Sequence, residues 1–584
     1  NASACLIEDG KLKFAIQEER LVNRKNESGF PSNSIKKLLE YSKINIKDID
    51  KVAVASNHVS YEFATGEYFN KTIKSQIRIK GENLIKKSPL YTYYKSKRRK
   101  ERIDHIVNFG FSEEKIIFVD HHLCHAATAY FGSHFSQNEK VLVLTNDGAG
   151  DGLCATVSIA QNNQIEKITE IKDYDSLAGI YCLITKMLGF KPLEHEYKLM
   201  GMAPYVSESG TDKGHSVFKD IISLSLDNPI VFKRTKEEYI KILLPILKKR
   251  TEFMRFDWIC AGLQKFTEDI LVQWVKNCIA HTGVKKVALA GGIFMNVKAN
   301  KKIMELDEVE DIFVFPSCGD ETVSIGAAYY VYNECRKNIL DNSLKNQNPS
   351  LMQGKLENNM KKYAPLPEIS PIDNFYLGDD FSDKEILNEI GAFKEQVSFK
   401  FKKYVQIEKE IAKLLSKKQV IARCSGRMEF GARALGNRSI LADPSNLECV
   451  REINMMIKNR DFWMPFAPVI LKERQDDYVI NPKKIDAPYM ILSFDSTKNY
   501  KDYIAAAHQA DLTARPQIIN KKMNPGYYAI LKEFEKKTGR GVLLNTSFNL
   551  HGYPIVHGPK EALDVFKNSE LRYLALGNYL IEKN

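Results

Sequence analysis

The sequence predicts an α/β protein of two domains, and three observations carry that prediction. Short β-prone runs alternate with helix-length amphipathic runs through residues 1–345, residues 346–373 turn polar and proline-bearing, and a second strand–helix pattern fills residues 374–584. At 584 residues the chain is long for one domain and has room for a sizeable core. Its 44% hydrophobic and 27% charged residues are an ordinary globular balance, and 32 glycines with 20 prolines are too few for a fibrous or low-complexity chain. No apolar run approaches the roughly 20 residues of a membrane-spanning helix, which excludes an integral membrane protein.

Ala2–Glu8 and Lys11–Ile16 flank Asp9-Gly10, a hairpin signal, because a two-residue primed turn needs positive φ at both central positions. The chain opens inside this first strand, so a further strand before residue 1 is expected. Lys51–Ser56 and Ile116–Val119 read as short apolar strands, and a helix follows from His121 to Phe131. Lys140–Thr145 is a third strand that runs into a glycine-rich turn, Asn146–Gly152. The domain continues with an amphipathic helix over Trp258–His281, a strand Val284–Leu289 and a glycine turn Ala290–Gly292. A helix from Phe294, a strand Ile312–Phe315 and a helix after Ser324 complete it. Asn348-Pro349 and Pro365-Leu366-Pro367 mark the linker. Beyond it, a helix Ile407–Leu415 precedes a strand Gln419–Cys424 and an arginine- and glycine-rich turn.

The net charge of +12 is mild over this length and suits anionic small molecules as well as nucleic acid. The densest basic run, Lys95–Arg102, reads either as a solvated helix face or as an anion or nucleic-acid contact, with Tyr91, Tyr93 and Tyr94 as stacking platforms. Ten scattered cysteines without a CxxC pair, and no secretory signal, place the expected location in the reducing cytoplasm.

Three constellations carry chemistry. In Asp120-His121-His122-Leu123-Cys124-His125, His121 and His125 are four apart and share a helix face, the spacing at which two imidazoles can hold one metal; His122 points elsewhere. Asp147 and Asp320 follow strands and would complete an N₂O₂ set suited to iron, zinc or manganese, at the strand ends where α/β proteins gather ligands. The alternative is a helix with surface histidines and aspartates that cap turns. The glycine turns at Asp147–Gly152 and Ala290–Gly292 can offer backbone N–H groups to phosphate, or serve as plain connectors. In the second domain, Arg427, Arg433 and Arg438 lie between glycines, followed by Lys458, Arg460, Arg515, Asn545, Ser547 and Asn549, a set of forks and hydroxyls that suits a phosphate-like anion.

The strings QEERLVNRK, DHHLCHAATAYFGS, EHEYKLMGMAPY, LAGGIFMNVKAN, CGDETVSIGAAYY, GRMEFGARALGNRSILADP, MPFAP and NTSFNLHGYPIVHGP span nearly the whole chain, and together they resemble the O-carbamoyltransferases of the nodulation and antibiotic-tailoring family. The resemblance implies an actin-like two-lobed domain over 1–345, of the type that also makes threonylcarbamoyladenosine, and a YrdC-like domain over 374–584. It implies a metal, commonly iron, on His121, His125, Asp147 and Asp320. It also implies a nucleotide cradle at Gly148, Gly150, Asp151, Lys198, Gly291, Gly292 and Asn296, with His121, His125, Asp147 and Lys25 catalytic. Carbamoyl phosphate and nucleotide would bind at Arg433, Arg438, Lys458, Arg460, Arg515, Asn545, Ser547 and Asn549. Ala432 stands where the family has proline, and Met464 where it has arginine. The histidine that often opens the first domain is absent, so a general base is expected before residue 1.

The implied activity is transfer of a carbamoyl group from carbamoyl phosphate, through carbamoyl-adenylate made with ATP and Mg, to a hydroxyl of a small natural product. The insert over residues 61–102 would shape the acceptor pocket. No membrane and no nucleic acid is expected as partner, and a homodimer is compatible with the pattern. Two other readings stay open: a tRNA-modifying enzyme of the same two modules, with Lys95–Arg102 as its footprint, and a non-catalytic actin-like nucleotide switch.

Overall fold

The computed structural model describes residues 1–57, 89–345, 366–394, 398–458 and 460–583. The linker expectation for 346–365, and the acceptor-pocket expectation for 61–88, lie outside the described residues.

The first domain begins with the expected hairpin. Strands β1 (Ser3–Glu8) and β2 (Lys11–Gln17) pair antiparallel about Asp9 and Gly10, both at positive φ. β3 (Val52–Ala55) and β4 (Ile116–Val119) pair in parallel. The main sheet is built from β5 (Val141–Gly150), β6 (Leu153–Gln161) and β7 (Gln164–Lys172), an antiparallel meander. A small hairpin follows, β8 (Ile222–Leu224) with β9 (Phe232–Arg234), and then β10 (Lys286–Ala290) and β11 (Asp311–Val314) extend the sheet in parallel from β5. The order is β11-β10-β5-β6-β7, a mixed sheet with a parallel half and an antiparallel half. Val141–Leu144 are wholly buried, as the central strand of a covered sheet must be. Helices His121–Phe131 and Phe256–Thr282 join this core.

The strand expected over 140–145 runs further. β5 continues through the glycine-rich stretch, and Gly150 pairs with Leu153, so the turn expected over Asn146–Gly152 narrows to a two-residue hairpin turn at Asp151-Gly152. Glycines permit this because the pairing continues through backbone groups and needs no side chain.

The second domain is built on a large mixed sheet with helices on both faces and carries a second, small sheet. Its strands are β12 (Phe399–Lys403), β13 (Ile421–Cys424), β14 (Arg438–Ala442), β15 (Ala467–Leu471), β16 (Val479–Ile480), β17 (Phe494–Ser496), β18 (Thr513–Ala514), β19 (Gln517–Ile519), β20 (Val542–Ser547), β21 (Tyr573–Leu576) and β22 (Tyr579–Lys583). Eight of them form the order β12-β22-β21-β13-β14-β20-β15-β19, and β16–β18 form a separate three-stranded sheet. Ile421, Leu441 and Leu543 pack against helices Ile407–Ser416 and Pro525–Thr538. Ala422, Ile440 and Leu544 face the opposite way, in the cluster that holds helices Asp383–Lys394 and Pro559–Lys567.

The domains are not strung on a free tether. Residues 366–373, expected as linker, are docked on the first domain: Ser370 N–H donates to the Gly10 carbonyl at 2.9 Å, and Ile369 is buried. Phe315 of the first domain meets Phe375, which in turn meets Phe430 and Tyr489 at ring separations of 5.6–5.8 Å. This apolar seam fixes the two domains as walls of one chamber.

Candidate active site

Helix His121–Phe131 is capped by Asp120, whose carboxylate accepts from the Leu123 N–H at 3.0 Å. That cap sets the rotation of the first turn and carries His121 and His125 toward the ends of β5 and β11. There the structure gathers His121, His125, Asp147 and Asp320, each offering one donor atom within 4.8 Å of the others. His121 Nε2 lies 3.4 Å from Asp147 Oδ2 and 3.6 Å from Asp320 Oδ1, and His125 Nε2 lies 3.8 Å from the same Asp320 oxygen. These separations exceed those of good hydrogen bonds and suit groups arranged about a common point. Both ring nitrogens of His125, and Asp320 Oδ1, are buried with no hydrogen-bond partner. A buried polar atom left unpaired is costly, so an N₂O₂ cluster holding three such atoms fits a divalent cation.

The charges of this cluster compensate one another. Burial disfavours a charge on His121, but Asp147, Asp320 and Asp151 outweigh it and raise its pKa from 6.5 to about 9. Asp320 is driven well below the usual carboxylate range: burial opposes its charge, and His125 and His121 overcome that opposition. A proton on His121 thus stands where a cation would otherwise neutralise the carboxylates. His122 is not a surface histidine. It is buried, its Nδ1 lies 2.8 Å from Thr145 Oγ1, and burial together with its two histidine neighbours pushes its pKa well below 6.5.

The second cluster is cationic. Lys458 Nζ donates to Asn549 Oδ1 at 2.7 Å and to Ser547 Oγ at 3.1 Å, and Ser547 Oγ donates to Asn549 Oδ1 at 2.6 Å. Arg460 reaches Thr546 Oγ1 at 3.0 Å and Arg515 reaches the Met490 carbonyl at 3.3 Å. Arg433 Nε and Asn545 Oδ1 are buried and unpartnered. Among the described residues, none of Lys458, Arg460, Arg433 and Arg515 has a carboxylate within ion-pair distance. Burial lowers the pKa of all four; Arg460 adds to the effect at Lys458, and Arg433 and Arg460 at Arg515.

Both clusters open on one cavity of about 2430 Å³, lined by His121, Asp147 and Asp320 from one side and by Arg433, Ser547 and Asn549 from the other. Lys25, Gly148 and Asp151 also line it. Burial lowers the Lys25 pKa, against the pull of Glu194 and Glu19.

Several expected site residues do other work. Gly291 N–H donates to the Cys318 carbonyl at 2.9 Å and Gly292 N–H to Asp147 Oδ1 at 2.8 Å, so this turn orients a cluster residue and has no N–H to spare for phosphate. A Cβ on Gly150 would fall 2.1 Å from the His121 ring, so that glycine makes room for the imidazole. Asp151 accepts from the N–H groups of Asn57 at 2.8 Å and His121 at 2.9 Å. The amide of Asn296 is matched to Gln264. Lys198 points to Asp461 of the second domain, 2.9 Å away. Arg438 is wholly buried and donates to the carbonyls of His557, Gly426 and Asn437, and Arg427 to those of Gly378 and Leu377. Of the three glycine-spaced arginines only Arg433 reaches the cavity. Gly431 is there because its Cα lies against Ser317 of the first domain, where a Cβ would come within 2.4 Å.

Sequence reasoning passes over Ser56 and Arg102. Ser56 Oγ lies 2.8 Å from His121 Nδ1, and Arg102 donates to the carbonyls of Ser56 and Ala55 at 2.6 and 2.7 Å. The end of a short strand at Ser56 was the available signal; Arg102 was hidden in a run that reads as solvated.

The family descriptions Carbamoyltransferase N-terminus and Carbamoyltransferase C-terminus match residues 1–329 and 412–583. An uncharacterized protein of Methanocaldococcus jannaschii is 31% identical over 593 residues, covering 100% of this chain and 98% of that protein. Nodulation protein NolNO of Sinorhizobium fredii is 29% identical over 594 residues, covering 100% of this chain and 79% of its own. Full-length HypF in its phosphate- and nucleotide-bound form overlaps 38% of this chain and 45% of its own at 16% identity and a TM-score of 0.28.

Proposed function

The chain belongs to the carbamoyltransferase family and is a transferase, and from that premise we propose that it carries a carbamoyl group from carbamoyl phosphate, through carbamoyl-adenylate, to a hydroxyl of a small natural product. The observation that carries the reading is a group of four cations, buried Lys458 and half-buried Arg460, Arg433 and Arg515, which have no carboxylate within ion-pair distance among the described residues; Arg433, with Ser547 and Asn549 that Lys458 contacts, lines the cavity that the histidine–aspartate cluster also lines. Buried charge of one sign is costly unless a ligand of the other sign arrives.

The donor phosphate would be held by these guanidinium and ammonium groups, with the Ser547 hydroxyl and the Asn545 and Asn549 amides fixing its orientation. Loss of that phosphate to water leaves carbamate, whose oxygen attacks the α-phosphorus of ATP; the bond to pyrophosphate breaks and carbamoyl-adenylate forms. The shared cavity keeps this labile anhydride from bulk water on its way to the first domain. There the acceptor hydroxyl attacks the carbamoyl carbon, gives up its proton, and AMP leaves. His121, His125, Asp147 and Asp320 would hold a divalent cation, iron, zinc or manganese, which when bound supplies Lewis-acid polarisation of an oxygen. Lys25 lines the same cavity and offers a phosphate contact.

The test needs no acceptor. Purified protein given carbamoyl phosphate and ATP should release pyrophosphate, and Arg515→Ala should lower kcat/KM for carbamoyl phosphate by about 10²–10³-fold, the cost of removing one preorganised donor. Pyrophosphate release that does not depend on carbamoyl phosphate eliminates the adenylate route. Unchanged kcat/KM in Arg515→Ala removes that residue from the donor site.

A further inference from the structure

We infer that Ser56 and Arg102 are positioning residues of the histidine–aspartate cluster: Ser56 fixes the His121 ring and Arg102 fixes Ser56. The inference rests on the reading that the cluster holds a cation. For Nε2 of His121 to face Asp147 and Asp320 with a lone pair, the ring proton must sit on Nδ1, and Nδ1 lies 2.8 Å from Ser56 Oγ. Ligating histidines are oriented in this way, by a partner on the other ring nitrogen. The Gly150 backbone packs close against the same ring, where even a Cβ would overlap it, so the imidazole has a hydrogen-bond partner on Nδ1 and a tight neighbour beside it. His125, the other imidazole of the cluster, has no hydrogen-bond partner on either nitrogen, so the positioning is specific to His121.

Ser56 does not reach this place by local preference. It is buried and adopts φ +66°, a conformation unfavourable for a residue with a Cβ. Two neighbours hold the backbone there. The planar fork of Arg102 donates one N–H to the Ser56 carbonyl and another to the Ala55 carbonyl. On the other side, Asp151 Oδ2 accepts from the next amide, Asn57, and from His121 itself. Arg102 is braced by the Phe118 ring, 4.9 Å from its guanidinium carbon. A lysine could not span two carbonyls in this way, because its ammonium is a single point and not a fork.

The experiment uses the full chain, stripped with chelator and titrated with Co²⁺, reading the dissociation constant by chelator competition and the visible bands of bound Co²⁺. Ser56→Ala should weaken binding about 10–100-fold and shift the bands, since a freed ring rotates in the ligand sphere. Arg102→Gln and Arg102→Lys should both weaken binding and shift the bands in the same direction, with circular dichroism confirming that each remains folded. Arg99→Gln, which removes an equal charge from the same helix and the same Phe118 ring, should bind as the parent does. If Ser56→Ala and both Arg102 variants bind within twofold of the parent with unmoved bands, the positioning role is overturned while the metal site stands. If the parent itself binds no Co²⁺, the metal reading fails, and this inference with it.

Discussion

The two charged clusters beside the shared cavity are both largely withdrawn from solvent, yet they resolve that in opposite ways. In the first domain, His121 and His125 sit against Asp147 and Asp320, and charges of both signs settle one another through a proton. In the second, Lys458, Arg460, Arg433 and Arg515 meet hydroxyls, amides, carbonyls and the Phe466 ring, with no carboxylate within ion-pair distance among the described residues. A compensated cluster stabilises the fold before anything binds, whereas an uncompensated one destabilises it until an anion arrives. On the proposed reading the first would exchange a proton for a cation, and the second would be filled by the donor anion.

The largest effect should come from breaking compensation. His121→Ala leaves buried Asp147 and half-buried Asp320 without their counter-charge, and should lower the stability of metal-free protein by about 1–3 kcal/mol. Thermal melts at pH 6 check this; an unchanged midpoint would mean that His121 is uncharged and the cluster is not self-neutralised.

Nearly as large is the pH response of the same cluster. His121 is raised above its ordinary value, so its contribution is fully present below about pH 6.5 and is lost as pH rises through about 9. Metal-free protein should lose up to about 3 kcal/mol across that window, and protein saturated with metal should lose much less, because the cation replaces the proton. Equal losses with and without metal would place the titration elsewhere.

The second cluster predicts the opposite sign. Lys458→Met keeps the length of the side chain and removes a buried cation, so ligand-free protein should gain about 1–4 kcal/mol while losing donor binding. Carbamoyl phosphate or inorganic phosphate should raise the melting temperature of the parent and not of the variant. A destabilised Lys458→Met would show that its bonds to Ser547 and Asn549 outweigh its desolvation.

What the sequence made legible divides along the same line. The helix His121–Phe131 carries its own cap and its own i, i+4 histidines, and it was found with the same bounds because everything that defines it is local. The aspartates could be joined to it because the sequence pattern puts both just after strands; Asp320 does follow β11, whereas Asp147 lies within the longer β5. The glycine–arginine motif was misread in part because its reasons are long-range: Arg438 and Arg427 look like anion ligands on paper, but Arg438 ties carbonyls within the second domain, Arg427 reaches across to the Lys13 carbonyl, and Gly431 answers to Ser317 more than a hundred positions away. Ser56 was invisible for the same cause, since its meaning depends on Arg102 and His121 meeting it in space.

Lys198 supplies the finest test of the comparison, because it is a lysine that the sequence assigns to phosphate and the structure assigns to a carboxylate. Its ammonium lies 2.9 Å from Asp461, and the Trp463 indole donates to its carbonyl at 3.1 Å, so the segment bridges the two domains beside Arg460. A compensated lysine here should behave like the first cluster in miniature. Lys198→Gln should cost about 1 kcal/mol or less, as partly buried ion pairs do, and should leave the KM for ATP within about twofold. A phosphate-binding lysine would instead raise that KM at least about tenfold on removal, the loss of a charge-assisted hydrogen bond. The double variant Lys198→Gln with Asp461→Asn decides between the two. Costs that fail to add identify the pair as a clasp, and a KM that rises with Lys198→Gln alone returns the lysine to the nucleotide.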